Sequence, residues 1–223
     1  MELKGAAVLF SEMIPGPELE AEFNAWYDEE HIPLRMACPG FVSACRYKAA
    51  DAANYLAVYE LADIDVLRTD AYRALKDDPS ERTARMLSSV NGFTRYLACE
   101  TSCRAQGAAS AVPLDAPVLY AVLFNVPEEG VDAFDAWYEQ EHVGLLMENP
   151  DWLMVRRFTV AEGVPQPFTR LALHYLANGS VLSAPERERA RGTPWRKRLA
   201  VNSWFKGTYS VFQRHRRRHH GCA

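Results

Sequence analysis

Two short segments of the chain contain the residues best suited to chemistry. Both follow the order Tyr-x-x-Glu-His, with Tyr27, Glu30 and His31 in one and Tyr138, Glu141 and His142 in the other. A histidine titrates near neutral pH and can serve as a general acid or base, and the dipole at a helix C-terminus would favour its protonated form. The tyrosine one turn earlier could hydrogen-bond the histidine or orient a substrate. We therefore predict that Tyr27, His31, Tyr138 and His142 are catalytic, the alternative being that the histidines only cap a helix.

The residues before each histidine recur at helical spacing. Phe23, Tyr27 and His31 fall along one stripe of the first predicted helix, with Trp26 and Glu30 on the neighbouring stripe. The second segment repeats this with Phe134, Tyr138 and His142 beside Trp137 and Glu141. The two tryptophans are candidate substrate contacts, although aromatic stripes at this spacing usually belong to a core. The two glutamates could support the histidines or face solvent.

Strand residues would supply the opposite wall of each site. Alternation places Tyr55 and Tyr59 on one face of a strand, and Arg170 and His174 on the equivalent face of its counterpart. One pocket would then be lined by phenols. The other would combine His142, His174 and Arg170, and the forked donor of the arginine could bind a carboxylate or a phenolate.

Two more basic residues, Arg46 and Arg157, occupy matching positions on the strand that precedes each of these two strands. They could bind substrate or form a salt bridge across the sheet. The full set of predicted substrate-binding residues is Trp26, Arg46, Tyr55, Tyr59, Trp137, Arg157, Arg170 and His174.

These segments belong to an internal duplication. Residues 23–47 align with residues 134–158 at a constant shift of 111 without a gap, and 10 of the 25 pairs are identical. Agreement of this kind in one frame indicates a repeated structural unit. We place the first repeat at 1–103, a linker rich in small residues at 104–117, the second repeat at 118–213 and a basic, disordered tail at 214–223.

Each repeat has the pattern of one strand, one helix, two strands, further helical material and a last strand. In the first repeat the predicted strands are 5–13, 41–48, 54–61 and 93–102, with helical residues at 17–31 and 64–90. Pro33 is expected to end the first helix, and Gly144 to do so in the second repeat. The order β-α-β-β-α-β predicts an α+β fold of two tandem ferredoxin-like units. Each antiparallel sheet would leave one face uncovered, so we expect the two sheets to pack into an α/β barrel with the helices outside.

The string W-Y-x-x-E-H-I-P-L, followed by P-G-F and R-Y, resembles the dimeric α/β-barrel superfamily and, within it, the EthD-like proteins. The resemblance covers most of residues 5–213. It implies a ligand cavity between the sheet and helices of each half, faced by the helix histidine. Members include polyketide cyclases, small monooxygenases, dehydratase-like enzymes, haem-binding degraders and proteins without an assigned activity. The second repeat departs from the motif at Gly144 and Asp151.

Composition narrows the classes of function. The chain has 223 residues, 48% of them hydrophobic, and a net charge of −4. Four arginines lie in the last ten residues, which leaves 21 basic against 29 acidic residues in the body. Such an acidic body disfavours nucleic-acid binding. Because no apolar run reaches membrane-spanning length and no signal peptide is evident, we expect a cytoplasmic protein without membrane contact.

The five cysteines, at 38, 45, 99, 103 and 222, lack zinc-type spacing and suit reduced thiols. Cys99 and Cys103 are four residues apart, which fits packing better than a metal site, since two thiolates do not complete a tetrahedral site. No HExxH motif or histidine triad occurs in the body, and no histidine is singled out for haem iron. The sequence therefore predicts no metal and no bound cofactor.

We consider three functions. The first is cofactor-independent acid/base chemistry by His31, His142 or both on an apolar, aromatic catabolic or polyketide-like substrate, as in a cyclase, dehydratase, isomerase or C–C lyase. The second is a non-catalytic or stress-related barrel that holds a hydrophobic ligand. The third is a monooxygenase, either cofactor-free or haem-linked. The expected partner is a small-molecule substrate, and the chain would be a monomer with an internal pseudo-dimer or a homodimer.

Overall fold

The structure, a computed structural model, describes residues 4–107 and 113–221. Part of the predicted linker and Cys222 therefore lie outside the described residues. The chain forms two compact units. Of the described residues, 4–99, 161–165 and 215–221 belong to the first, and 100–107, 113–160 and 166–214 to the second.

The first repeat has the predicted order of elements. Its strands are β1 (Ala7–Ile14), β2 (Phe41–Ala49), β3 (Tyr55–Leu61) and β4 (Asn91–Ala105), and its helices are α1 (Glu20–Trp26), α2 (Ile32–Met36), α3 (Asp70–Asp77) and α4 (Glu81–Ser89). All pairings are antiparallel in the order β2-β3-β1-β4. The helical stretch predicted at 64–90 is divided into a 3-10 turn at Ile64–Arg68 and the helices α3 and α4.

The second repeat copies this arrangement. Its strands are β5 (Val118–Phe124), β6 (Trp152–Val164), β7 (Arg170–Leu176) and β8 (Gly207–Arg214), and its helices are α5 (Val131–Trp137), α6 (Val143–Leu146), α7 (Pro185–Gly192) and α8 (Pro194–Leu199). The strand order is β6-β7-β5-β8, again antiparallel. The fold class predicted from the sequence is confirmed.

The duplication preserves a β-bulge at the start of the second strand of each repeat. The register against β3 shifts between Phe41 and Ser43, and the register of β6 against β7 shifts between Trp152 and Met154. A bulge changes the direction in which nearby side chains point. Phe41 and Trp152, which occupy equivalent positions, are both almost fully buried.

Each histidine segment adopts a π-helical turn, at Tyr27–His31 and at Tyr138–His142. The helix then continues as α2 or α6, so the prediction that Pro33 and Gly144 end it is wrong. Pro33 follows the π turn directly, where the regular helical hydrogen-bond pattern is already interrupted, so its missing N–H does not end the segment. Since the second repeat makes the same π turn with glycine, the proline is not its cause. The consequence is that His31 and His142 lie within a helical segment and not at its C-terminus.

The helices cover one face of each sheet. In the first repeat Phe23 and Trp26 are fully buried against alternate residues of β1 and β3, such as Leu9 and Ala57. Phe134 and Trp137 hold the same places in the core of the second repeat. Burial of such aromatic side chains supplies much of the stabilisation of a core. The aromatic stripes therefore have the core role that their spacing favoured.

The C-terminal residues are ordered against the first repeat, contrary to the expected disorder. A short strand, β9 (His219–His220), pairs with Ser43 and Ala44 of β2. Arg218 is 9% exposed and donates to the Ser43 hydroxyl at 3.1 Å. Hydrogen bonds to the edge of β2 and the ion pair of Arg216 with Asp28, at 3.0 Å, offset part of the charge that led us to expect a solvated tail.

Within residues 4–107 and 113–221, no helix is both long and apolar enough to cross a bilayer.

Candidate active site

The first repeat contains a cavity of about 300 Å³ between its sheet and helices. That volume is within the usual range for small-molecule sites. Its lining comes from β1, the π turn, α2, β3, α3, α4, β4 and the turn between α3 and α4: Leu9, Ser11, Met13, Tyr27, His31, Leu34, Arg35, Tyr59, Tyr72, Leu75, Lys76, Asp78, Pro79, Ser80, Thr83, Leu87, Phe93 and Arg95. Of the predicted site residues, the structure brings His31, Tyr27 and Tyr59 together here.

His31 is held between two aromatic rings. Its ring centroid lies 4.2 Å from that of Trp26 and 4.6 Å from that of Tyr27. The π turn explains this geometry, because a wider turn brings residues five positions apart, as well as four, onto one side. The side chain is buried, and its Nδ1 has no hydrogen-bond partner among the described residues.

Burial keeps His31 neutral. Loss of hydration lowers the pKa of His31 well below its usual value, and the charges of Arg35 and Arg46 lower it further. The expected preference for the protonated form is therefore wrong. The dipole argument does not apply within a continuing helix, and desolvation acts in the opposite direction. At neutral pH this imidazole can accept a proton.

Two of the three tyrosines that line the cavity, Tyr27 and Tyr59, retain their protons. Burial raises the pKa of Tyr27 and of Tyr59 above the usual value. The Tyr27 hydroxyl points at the Met13 sulfur at 3.8 Å, which is a weak acceptor. The Tyr59 hydroxyl is buried without a hydrogen-bond partner in the described part of the chain. Both phenols are thus able to donate to a ligand oxygen.

The mouth of the cavity combines apolar and cationic side chains. Leu34, Leu87 and Phe93 are 42%, 41% and 44% exposed, which is unusual for large apolar residues around one opening. Arg35 also lies there and donates to the backbone carbonyl of His31 at 3.0 Å. Sequence reasoning missed Arg35. Comparing the repeats could have found it, because Leu146 takes its place in the second.

The second repeat has a much smaller cavity, of about 30 Å³. It has room for about one or two water molecules. Its lining is Tyr120, Val122, Phe124, Trp137, Tyr138, His142, Leu146, Trp152, His174, Arg187, Arg191, Arg196, Phe205 and Tyr209. The predicted residues Trp137, Tyr138, His142 and His174 meet here.

The His174 side chain occupies part of the space in this repeat, and its hydrogen bonds determine which ring nitrogen carries the proton. The Trp152 indole N–H donates to its Nδ1 at 3.1 Å, and its Nε2 lies 2.8 Å from the Tyr138 hydroxyl. An indole nitrogen only donates, so Nδ1 must accept and Nε2 carries the proton. Burial, with smaller contributions from His142 and Arg187, lowers the pKa of His174 well below its usual value. The geometry therefore favours a structural role for this histidine.

His142 is neutral as well. Its ring centroid lies 4.6 Å from that of Trp137, as His31 lies beside Trp26. Burial lowers the pKa of His142 to about 3 against an opposing hydrogen bond to the Ala190 backbone, and three nearby arginines add to the lowering. The cavity beside it leaves no room for an organic substrate.

Five other predicted residues lie outside both cavities: Trp26, which is part of the core, and Arg46, Tyr55, Arg157 and Arg170. Arg46 bonds Asp28 at 2.8 Å and Asn24 at 2.6 Å, and its guanidinium lies 4.4 Å from the centroid of Tyr27. The Tyr55 hydroxyl bonds Glu20 at 2.5 Å. Arg46 therefore pairs with an acidic side chain of the helical segment, and not across the sheet, which was the alternative considered for it.

The second repeat has equivalent arginine ion pairs and ring contacts. Arg157 pairs with Asp135 and with Glu139 at 3.2 Å, and lies 4.9 Å from the centroid of Tyr138. Arg170 pairs with Asp135 at 3.0 Å. In both repeats, therefore, a strand arginine lies against the tyrosine ring, and none of these arginines lines either cavity.

The repeated glutamates tie the π turn to the later helices. Glu30 accepts from the hydroxyls of Ser80 and Thr83, the latter at 2.8 Å, and Thr83 also accepts from the Trp26 indole at 2.9 Å. Glu141 accepts from Thr193 at 2.6 Å. These contacts fix the orientation of the histidine segment and leave no glutamate beside the histidine rings.

Within the described ranges, no group of three or more His, Cys, Asp and Glu side chains is arranged to hold a metal ion. His31 is the one imidazole that lines the larger cavity. The arrangement there combines a neutral base with two protonated phenols.

Comparison with known proteins shows the fold. No protein-family model matches the chain, and no curated protein matches its sequence. An anthrone oxidase-like protein has a similar structure, with a TM-score of 0.69 and 12% identity over 99% of this chain and 95% of that one. A protein assigned as a monooxygenase from Fusobacterium nucleatum has a TM-score of 0.60 and 9% identity, covering 97% and 95%. A chlorite dismutase from Candidatus Nitrospira defluvii has a TM-score of 0.54 and 10% identity, covering 94% and 92%. The chain has the fold of the dimeric α/β-barrel proteins.

Proposed function

We propose that this chain is an EthD-like small-molecule enzyme whose active site is the cavity of the first repeat. His31 acts there as a general base on an apolar, aromatic substrate without a bound cofactor. The observation that supports this most is the combination of a buried, neutral histidine with two buried, protonated tyrosines on the wall of a ligand-sized cavity. Two of these buried polar groups, His31 Nδ1 and the Tyr59 hydroxyl, have no hydrogen-bond partner among the described residues, and such groups on a cavity wall are candidates for contact with a ligand.

The proposed reaction begins with proton transfer from the substrate to His31. The substrate becomes a phenolate or an enolate, and its oxygen accepts hydrogen bonds from Tyr27 and Tyr59. Donors that are already in place where charge develops are an effective source of catalysis. The imidazolium then returns the proton to another carbon, as in an isomerisation or cyclisation, or to a leaving hydroxyl, as in a dehydration.

The substrate class follows from the lining. Leu9, Met13 and Leu75 make the interior apolar, and Tyr72 adds an aromatic surface. Apolar walls with a few convergent polar groups are typical of sites that bind a flat organic ligand. A compound of two or three fused rings with one hydroxyl or carbonyl fits this description, with part of its body against the apolar rim.

Oxidation by O₂ is the second candidate, favoured by the likeness to the anthrone oxidase-like structure. It would begin with the same proton abstraction by His31. The resulting carbanion would reduce O₂, so that a methylene group becomes a carbonyl and the second oxygen atom leaves as water. This oxidation needs no other reductant, because the substrate supplies the electrons.

The test uses anthrone and 2-naphthol as probes of the full-length protein, with turnover followed by absorbance and by an oxygen electrode. We expect His31→Gln to lower turnover by about 100-fold or more, the usual loss of a general base. The matched variant His142→Gln should stay within about twofold. Binding without turnover in the unaltered protein would favour the ligand-binding alternative, and full activity of His31→Gln would refute the proposed role.

A further inference from the structure

We propose that the second repeat carries a separate anion-binding site, formed by Arg187, Arg191 and Arg196 at the mouth of its small cavity. Its ligand class is an oxyanion, either inorganic phosphate or the carboxylate group of an organic acid. This site is distinct from the cavity of the first repeat and goes beyond the proposed function. We refer to these three residues as the arginine cluster.

Two adjacent helices bring the cluster together. Arg187 and Arg191 are one turn apart on α7, and Arg196 lies on α8. The Arg196 side chain donates to the Arg191 backbone carbonyl at 3.2 Å, so the two helices are in direct contact at this point. The three residues therefore border the same cavity.

The cluster has no counter-charge among the described residues. None of its members forms an ion pair there, whereas Arg189, between two of them on α7, pairs with Glu148. Arg187 instead donates to the Leu182 carbonyl at 2.7 Å, and Arg196 lies 5.5 Å from the centroid of Phe205. Like charges four residues apart on a helix are destabilising. An anion bound between them would remove that cost.

The positive charge of the arginine cluster also affects the groups inside the cavity. All three arginines contribute to the lowered pKa of His142, and Arg187 opposes the burial that raises the pKa of Tyr120. In addition, the Trp137 indole nitrogen, on the same cavity wall, is buried without a partner in the described part of the chain. Guanidinium and indole groups donate hydrogen bonds and do not accept them. These four groups can only donate and therefore favour an anionic acceptor, and the guanidinium fork fits carboxylate and phosphate oxygens.

The size of the cavity limits how the anion binds. About 30 Å³ admits one or two water-sized groups. An oxyanion headgroup can therefore sit at the mouth, while any organic body stays outside. This distinguishes the site from the first cavity, which has room for a whole aromatic ligand.

The experiment is calorimetric titration of the full-length protein with inorganic phosphate and, in a second arm, with benzoate, both at constant ionic strength maintained with chloride. Arg191→Gln and Arg191→Gln/Arg196→Gln are compared with Arg189→Gln, the control from the same helix. We expect about tenfold weaker binding or more in the double variant, the effect of losing charge-assisted hydrogen bonds, and less than about twofold change in Arg189→Gln.

Each result has a defined meaning. Binding of phosphate alone, or of benzoate alone, that is lost in the double variant supports the site and identifies the source of the oxyanion. Equal affinity in the double variant, or no binding of either probe up to about 10 mM, would overturn the proposal. The single variant Arg191→Gln changes an exposed side chain, so it provides a folded test if the double variant is unstable.

Discussion

Trp152 donates its indole N–H to Nδ1 of His174 at 3.1 Å, and this hydrogen bond distinguishes the second repeat from the first. It orients the imidazole so that Nε2 meets the Tyr138 hydroxyl at 2.8 Å, and the three side chains occupy the space beside the second histidine. The first repeat has Phe41 and Tyr59 in the equivalent places and retains a cavity of about 300 Å³. The differences Phe41/Trp152 and Tyr59/His174 between the repeats thus coincide with the difference between a ligand-sized cavity and one with room only for water.

The first prediction concerns that hydrogen bond. Trp152→Phe copies the first repeat and leaves Nδ1 of His174 buried without a donor, so we expect the free energy of unfolding to fall by about 1–3 kcal/mol. Urea denaturation measures it. Trp195→Phe, at a half-buried position, is the control. A loss below about 0.5 kcal/mol in Trp152→Phe would mean that the hydrogen bond is not needed.

The second prediction concerns the buried ion pair behind Tyr27. Arg46 is 1% exposed and Asp28 is 27% exposed. Arg46→Met would remove the buried partner of Asp28, which keeps only its more exposed pair with Arg216, and the Asn24 carbonyl would lose its Arg46 donor, so we expect about 3 kcal/mol of destabilisation. Arg68→Met, which breaks exposed pairs with Asp65 and Glu162, should change stability by less than about 1 kcal/mol. Equal effects in urea denaturation would contradict the structural role of Arg46.

Much of the fold could be predicted because the duplication shows the same pattern of residues twice. The order of strands and helices, the buried aromatic stripes and the pairing of His31 with Tyr27 all follow from period and repetition. The π turn did not follow, because helical periodicity assumes a regular turn. This one missed feature also explains the wrong helix end and the wrong protonation state of His31.

The third prediction concerns acid stability. The pKa values of His31, His142 and His174 are all lowered in the folded protein. Such a histidine is neutral when folded and protonated when unfolded at mildly acidic pH, so stability is full above pH 6.5 and falls as the pH drops below it. At pH 5, His142, whose pKa is lowered to about 3, would contribute a loss of about 2 kcal/mol relative to pH 7.5, and His31 and His174 would add losses of the same sign.

The measurement is urea denaturation at pH 7.5 and pH 5. His31→Gln should reduce the difference in the free energy of unfolding between the two pH values, since it removes one of the histidines whose pKa is lowered by folding. His220→Gln, at an exposed position on β9, should leave the difference unchanged. An unchanged pH dependence in His31→Gln would show that His31 is not held neutral by the fold.

The fourth prediction concerns Tyr59 as a hydrogen-bond donor. Tyr59→Phe removes the hydroxyl and keeps the ring, so we expect kcat on a confirmed substrate to fall by about 10- to 100-fold with little change in KM. Tyr209→Phe, in the second repeat and 49% exposed, is the control. A rise in KM at constant kcat would instead assign Tyr59 to ground-state binding.

The difference between the two cavities could not be predicted from the sequence. Alternation correctly placed Tyr59 and His174 on matching faces, but the loss of space around His174 depends on Trp152 and on the packing of Phe205 and Tyr209. Arg170 looked like a ligand-binding cation because its partner, Asp135, lies on a helix 35 residues away. Side-chain partners of this kind are settled by tertiary packing, which periodicity does not encode.

The most direct test of the central claim, that His31 removes a proton from a ligand in the first cavity, is anaerobic exchange in D₂O. Incubation of anthrone with the protein, followed by NMR of its methylene protons, isolates proton abstraction from any later step. We predict exchange faster than the buffer rate with the unaltered protein and with His142→Gln, and exchange at the buffer rate with His31→Gln. Exchange that persists in His31→Gln and disappears in His142→Gln would contradict the claim.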